Sequence, residues 1–294
     1  MSGLVIATDL SESALNAARV GLELATKLDL TPTIVYVDRQ VLEVSPALLV
    51  TSAESLADID SMELEKNLKK NLLDHIKKLN LDKFQLEVWK GNPSDGILKS
   101  VSRHGAKMIV TGLRGHSFFK EVFVGSVAQR LFEISPVPVF GVHDSLNSYP
   151  KHPVYCCDFL KSNTSAHDMA EKLANGDEQI KLDVLHIVCP TTVVEIQEKN
   201  TEVNSLEEAL EKVNKIASID IGNVASSFKA ETRTFVNTSK VVSVGISVLE
   251  HVEVNNNDLV IMGSHGHTGM KKWLMGSTAE YIIKRAERSV VVCR

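Results

Sequence analysis

Short runs of consecutive apolar residues alternate along this chain with stretches in which apolar residues recur every three or four positions. Leu4-Val-Ile-Ala7 is the first run; it ends in Thr8-Asp9-Leu10-Ser11, after which Leu15, Ala18, Leu22 and Ala25 follow at helical spacing. The unbroken run predicts a strand buried on both faces, and the spacing predicts an amphipathic helix. Thr33-Ile-Val-Tyr-Val37 predicts a second strand, followed by Asp38 and a long connection through Pro46. Leu64, Leu68, Leu72 and Ile76 mark a further helix, and Phe84-Gln-Leu-Glu-Val-Trp89 alternates, as a strand with one wet face or at a sheet edge would. Gly91-Asn-Pro93-Ser94 then breaks the chain and offers a helix start; Ile97, Leu98 and Val101 carry that helix to Gly105. Met108-Ile-Val-Thr111 is the fourth strand, Ala128, Leu131 and Phe132 stripe the next helix, and Pro136-Val-Pro-Val-Phe140 begins a fifth strand.

Strands that alternate with helices predict an α/β fold with a parallel sheet, and right-handed crossovers make it doubly wound. Asp144 to Pro153 is polar and without periodicity, and beyond it the series restarts. Val154-Tyr-Cys-Cys157 is followed by Asp158 as Leu4 to Thr8 is followed by Asp9, and Asp183-Val-Leu-His-Ile-Val188 replays the second strand. The chain is therefore expected to hold two tandem doubly wound domains, residues 1–145 and 151–294.

The repeat is sharpest in two glycine loops. Leu259-Val-Ile-Met262 runs into Gly263-Ser-His-Gly266, and nine residues later comes Gly276-Ser277; earlier, Gly112-Leu-Arg-Gly115 is followed by Gly125-Ser126 at the same spacing. Subtracting 112 from 263 and 125 from 276 gives 151 both times. Strand, glycine loop and helix together form an anion site: backbone without Cβ approaches closely, its N–H groups are available, and the helix N-terminus adds partial positive charge. Phosphate is the expected guest. A tight turn that merely needs glycine explains one such loop more readily than two.

Composition narrows the class. Of 294 residues 44% are hydrophobic and 23% charged, as in a globular protein long enough for two cores. A net charge of −5 without Lys/Arg-rich blocks gives no reason to expect nucleic acid. No apolar run approaches the roughly 18 residues of a membrane span, and no basic-then-apolar opening is present, so a cytoplasmic protein without membrane contact is expected. Cys156, Cys157, Cys189 and Cys293 sit in or at the ends of apolar segments without Cys-x-x-Cys spacing, which favours core packing. His265 and His267 lack a third ligand at fixed spacing, so no protein-held metal is expected.

With these residues in view, the chain resembles the universal stress protein family in its tandem form, over nearly its whole length. Gly263-Ser-His-Gly266 with Gly276-Ser277 is similar to the motif of that family's ATP-binding branch. The resemblance implies two five-stranded parallel sheets of order 3-2-1-4-5, with ligand at the carboxyl ends of strands 1 and 4. It implies that Asp9 and Asp158 lie near adenine and ribose and that the backbone of Val37 and Ile187 meets adenine. Gly112, Gly115, Gly125 and Ser126 would hold ribose and phosphates in one half, and Gly263, Gly266, Gly276 and Ser277 in the other. Arg114 departs from the pattern, standing where the second half has His265, and a guanidinium beside phosphates should help binding. The nucleotide would be ATP, or AMP or ADP, with magnesium held by its phosphates. Asp9 and Asp158 also read as helix N-caps. Family pairing through fifth strands would make the chain an intrachain pseudo-dimer, with room for a homodimer.

The expected function is an adenine-nucleotide-binding stress-response regulator. The sequence has no Walker loop and no kinase signatures, so at most weak ATPase activity is expected. The rival readings are an interaction scaffold that binds no nucleotide and a slow ATP-hydrolysing enzyme of the wider adenine-nucleotide-binding α/β superfamily.

Overall fold

The structure is a computed structural model that describes residues 2–38, 66–67, 70, 84–114, 124–159, 164–189, 193–194, 205–239, 243–264 and 275–294. The chain divides into two compact units that correspond largely to its N-terminal and C-terminal halves. Of the helix expected over Leu64–Ile76 only residues 66, 67 and 70 are described, and they are helical; the loop residues Gly115, His265, Gly266 and His267 lie outside the described residues.

The N-terminal half runs β1 (Gly3–Thr8), α1 (Glu12–Lys27), β2 (Thr31–Asp38), β3 (Gln85–Lys90), α2 (Pro93–His104), β4 (Ala106–Gly112), α3 (Ser126–Ile134) and β5 (Val139–Val142). Its strands are parallel in the order β3-β2-β1-β4-β5. All six residues of β1 are buried, as its unbroken apolar run requires of a central strand. β3 ends this order and is only partly buried, in keeping with its alternation. α1 starts where Ser11 accepts a bond from Ala14 N–H at 3.2 Å, and it buries Ala14, Ala17, Ala18, Leu22 and Ala25. α2 is capped by Asn92, has Pro93 in its first turn, and ends at Gly105 with φ 55°, the left-handed stop glycine favours.

The C-terminal half repeats the plan: β6 (Pro153–Cys156), α4 (Thr164–Asn175), β7 (Lys181–Val188), α5 (Leu206–Ala225), β8 (Glu231–Thr238), α6 (Val244–Asn255), β9 (Leu259–Gly263), α7 (Ser277–Arg285) and β10 (Ser289–Cys293). Its strands are parallel in the order β8-β7-β6-β9-β10. Its core is built on the fully buried Val154, Leu182, Val184, Leu259, Val260, Val290 and Val291. Each such side chain contributes about 1.5–3 kcal/mol of burial. Among the described residues no helix is long and apolar enough to cross a membrane.

The last strand of the first half starts later than its apolar pattern suggests. Pro136 and Pro138 lack the N–H a ladder needs, and Val137 N–H is turned to Ser135 Oγ at 3.1 Å, so pairing begins at Val139.

Candidate functional site

The parallel order reverses direction beside β1, which opens a crevice at the carboxyl ends of β1, β2 and β4. In the N-terminal half this crevice is a cavity of about 630 Å³. Ala7, Thr8, Asp9 and Ala14 line it from β1 and the start of α1, and Val35, Tyr36, Val37 and Asp38 from β2. Pro93 and Ile97 of α2, Thr111, Gly112 and Arg114 around the end of β4, and Gly125, Ser126, Val127 and Ala128 at the start of α3 complete it. The residues divide by chemistry. Valine, alanine and isoleucine give apolar walls, Asp9 and Asp38 stand at the ends of β1 and β2, and Arg114 and the α3 N-terminus supply positive charge.

Local bonds fix each of these pieces. Asp9 does not cap α1 itself. Its Oδ1 accepts from the backbone N–H of Ser11 at 3.0 Å and from the Ser11 hydroxyl at 2.5 Å, and Ser11 does the capping. Leu10 between them takes φ 65°, a sharp reversal that sends the chain from strand into helix. At β4, a Cβ on Gly112 would stand 3.0 Å from Ser13 Oγ and 3.2 Å from the Arg114 carbonyl oxygen, so glycine lets the loop pass close to α1. Leu113 N–H donates to the Val142 carbonyl at 2.9 Å, and Gly125 N–H donates to the Leu113 carbonyl at 2.8 Å. These two bonds seat the residue entering α3 against the end of β4.

The C-terminal half closes its loop the same way. Ser264 N–H donates to the Cys293 carbonyl at 2.7 Å and Gly276 N–H to the Ser264 carbonyl at 2.8 Å. Gly263 ends β9, Gly276 is the extended residue before α7, and Ser277 is its first residue. Asp158 follows β6 and Ile187 lies near the end of β7, with Phe159 at φ 58° in the place of Leu10. His186, which stands where Tyr36 does, is bonded through Nδ1 to the Cys157 carbonyl at 2.8 Å and faces the Phe159 ring at 4.3 Å.

Of the sequence-derived residues, Asp9, Val37, Gly112, Arg114, Gly125 and Ser126 meet in the one cavity. Sequence reasoning did not single out Thr8, Tyr36, Asp38, Pro93, Ile97 or Thr111 as site residues. The available signal was a carboxylate directly after an apolar strand at Asp38. Burial pushes the Cys156 and Cys293 thiols up to about 12, far from a reactive thiolate. Among the described residues no group of three His, Cys, Asp or Glu side chains could hold a metal ion.

The sequence and the fold both have relatives. The model of the universal stress protein family matches twice, over residues 2–143 and 151–294. Universal stress protein MJ0531 of Methanocaldococcus jannaschii is 30% identical over 142 residues, which are 47% of this chain and 80% of that protein. Universal stress protein YxiE of Bacillus subtilis is 28% identical over 141 residues, 46% of this chain and 95% of that protein. The crystal structure of a universal stress protein from Archaeoglobus fulgidus superposes with a TM-score of 0.65 at 21% identity, covering 99% of this chain and 98% of that one.

Proposed function

The chain belongs to the universal stress protein family on both of its halves, and from that premise we propose that its N-terminal half binds an adenine nucleotide and that the protein acts as a nucleotide-gated regulator of the stress response. The observation that carries the reading is the convergence of Asp9, Val37, Gly112, Arg114, Gly125 and Ser126 on one cavity of about 630 Å³. That volume lies within the roughly 300–1,000 Å³ of small-molecule sites. The residues fit the group. Apolar walls suit a flat base, a carboxylate suits amino or hydroxyl donors, and glycine-lined backbone with a serine, an arginine and a helix N-terminus suits phosphate oxygens.

Arg114 and Ser126 would hold the phosphates, Asp9 the sugar or base, and the Val37 backbone the base edge. Magnesium would arrive on the phosphates, since the cavity's two carboxylates sit at the ends of β1 and β2 and not at the glycine loop. Binding without an evident base beside the phosphates fits a sensor, because a ligand shifts an equilibrium only through its differential affinity for two states. The corresponding loop of the C-terminal half, with Gly263, Gly276 and Ser277 placed alike, would be a second nucleotide site.

The test is to denature the purified protein, identify any nucleotide released, and dialyse the full chain against labelled ATP, ADP and AMP with magnesium. Arg114→Ala with Ser126→Ala should weaken binding at least tenfold, and Ser277→Ala reports on the other half. Failure of the unaltered protein to release or bind any adenine nucleotide would replace this reading with the scaffold.

A further inference from the structure

At the amino ends of β6, β7 and β8 the C-terminal half encloses a charged cluster that the nucleotide reading leaves unused. Its centre is Asp183, fully buried in β7. Arg233, its register partner on β8, grips the carboxylate through Nε to Oδ1 and Nη2 to Oδ2, each at 2.8 Å. Asn257 Nδ2 donates to Oδ2 at 2.9 Å. Two imidazoles face the same oxygen, His152 Nε2 at 3.2 Å and His251 Nε2 at 3.7 Å. In the N-terminal half the corresponding strand pair is Thr33 and Gln85, Ser100 takes the place of His251, and Gly3 that of His152. The fold itself therefore does not require the cluster.

His152 Nε2 is caught between incompatible neighbours. It lies 2.7 Å from Arg233 Nη2, which can only donate, and 3.2 Å from Asp183 Oδ2, which as a carboxylate can only accept. A neutral ring nitrogen accepts from the guanidinium and repels the carboxylate; a protonated one donates to the carboxylate and repels the guanidinium. His251 avoids the conflict. The amide groups of Asn237 and Asn255 donate to its Nδ1 at 3.4 and 3.3 Å, which leaves the hydrogen on Nε2, 3.7 Å from the carboxylate. His251 is buried, whereas the His152 side chain is 24% exposed and within reach of solvent protons.

We infer that His152 and Arg233 form a proton-operated exchange at Asp183. With His152 neutral, Arg233 holds the carboxylate and donates to the ring; when the ring takes a proton, His152 donates to Oδ2 and Arg233 moves outward. The other charges around the ring permit this. Asp258 is occupied by the backbone N–H groups of Lys151 and His152, from which it accepts at 2.6 and 3.1 Å. Lys151 is itself paired with Asp177 at 2.7 Å, and Lys181 faces Glu231 at 3.6 Å. Burial works against the Asp183 charge, but His251, Arg233 and Asn257 as donors and the nearby His152 hold the carboxyl well below its ordinary range, so it remains an acceptor. The Arg233 side chain is 43% exposed, so the guanidinium can leave the carboxylate for solvent. Its departure removes a side-chain clamp between β7 and the edge strand β8 while the backbone ladder from Lys181 to Val188 stays paired.

The experiment follows the Arg233 Nε–H and the His152 ring by NMR in the full chain from about pH 8 to about pH 5.5, the span in which imidazoles ordinarily change charge. Arg233→Lys assigns the first signal. The Arg233 N–H should be protected from exchange at the alkaline end and lose protection at least tenfold along the same curve as the His152 ring. In His152→Gln its protection should not depend on pH. Unchanged Arg233 protection across the titration, a midpoint different from that of the His152 ring, or persistence of the pH dependence in His152→Gln would each overturn the exchange.

Discussion

Gly96 lies in the first turn of α2, where the missing Cβ lets the helix settle against β2 and β3. A Cβ built there would stand 2.8 Å from Val37 Cγ2, 3.1 Å from Trp89 Cβ and 3.4 Å from Trp89 Cγ. Carbon atoms rest about 3.5–4.0 Å apart, so Gly96→Ala forces a shift of several tenths of an ångström. Neither neighbour yields easily: Val37 is β-branched, and Trp89 Cβ moves only with its strand. Overpacking of this kind costs about 1–3 kcal/mol, against about 0.8–1.0 kcal/mol gained by replacing glycine within a helix. The net expectation is a loss of up to about 2 kcal/mol. Gly222 in α5 is the control, because its added Cβ would meet nothing within 4 Å. Gly222→Ala should stabilise by about 0.8–1.0 kcal/mol. Urea titrations followed by circular dichroism give the two midpoints, and hydrogen exchange assigns each change to its half. Since Val37 lines the cavity, Gly96→Ala should also weaken nucleotide binding. A Gly96→Ala protein stabilised as much as Gly222→Ala would refute the close packing of α2 on Val37.

Asp9→Ala removes two bonds of the Asp9–Ser11 turn and should cost about 1–2 kcal/mol in thermal unfolding, whereas Asp9→Asn keeps an acceptor, stays near wild-type stability and still loses nucleotide affinity about tenfold in dialysis. Burial opposes the Glu87 charge, but donors from Ser100, His104, Arg103 and Trp89 outweigh it and bring the carboxyl from 4.5 down to about 2. The folded value lies below the unfolded one, so this stabilisation is whole above about pH 4.5 and is lost as pH falls towards about 2; Glu87→Gln should flatten that slope in acid urea titrations. Gly105→Ala should cost about 1–2 kcal/mol in the same urea assay, since its φ of 55° is left-handed although a Cβ there would touch nothing. Asn256, at φ 53° after α6, already holds the equivalent place and should accept glycine without loss.

The apolar runs gave the sheet because a parallel strand buried on both faces leaves no polar position to confuse the reading; β1, with six buried residues, is the plainest case. The glycine loops were legible because close backbone approach restricts the residue type, as at Gly112 beside Ser13. Chemistry assembled from distant segments was not. Pro93 and Ile97 reach the cavity from a helix more than fifty residues after Asp38 in the sequence. Glu87 gathers three of its four donors from the second half of α2, thirteen to seventeen residues on. Asp9 read as a cap by type and position, yet Ser11 caps and Asp9 braces it across the left-handed turn at Leu10.

The two halves agree most closely where backbone is constrained and least where side chains are free. The left-handed residues Leu10 and Phe159, and Gly105 and Asn256, occupy matching places although the side chains differ. The loop necks match bond for bond, Leu113 to Val142 and Gly125 to Leu113 against Ser264 to Cys293 and Gly276 to Ser264. A duplicated fold can keep such bonds under almost any sequence, because main-chain donors and acceptors are common to all residues except proline. The buried polar positions carry no such guarantee: Thr33 in one half stands where Asp183 does in the other, and a lone buried carboxylate is tolerable only once a cation and further donors surround it. Arg233, Asn257 and the two histidines therefore belong to Asp183 as a set. Thr33 in the other half needs no such set, since a hydroxyl carries no charge to compensate. Replacing Asp183 alone by threonine should leave Arg233 without its carboxylate and destabilise the C-terminal half, whereas Asp183→Thr with Arg233→Gln, the pair the N-terminal half uses, should recover most of the loss. Non-additivity of at least 1 kcal/mol in that cycle, about the lower range for coupled buried groups, is the expected signature, and simple additivity would mean that the cluster is not held together by the carboxylate.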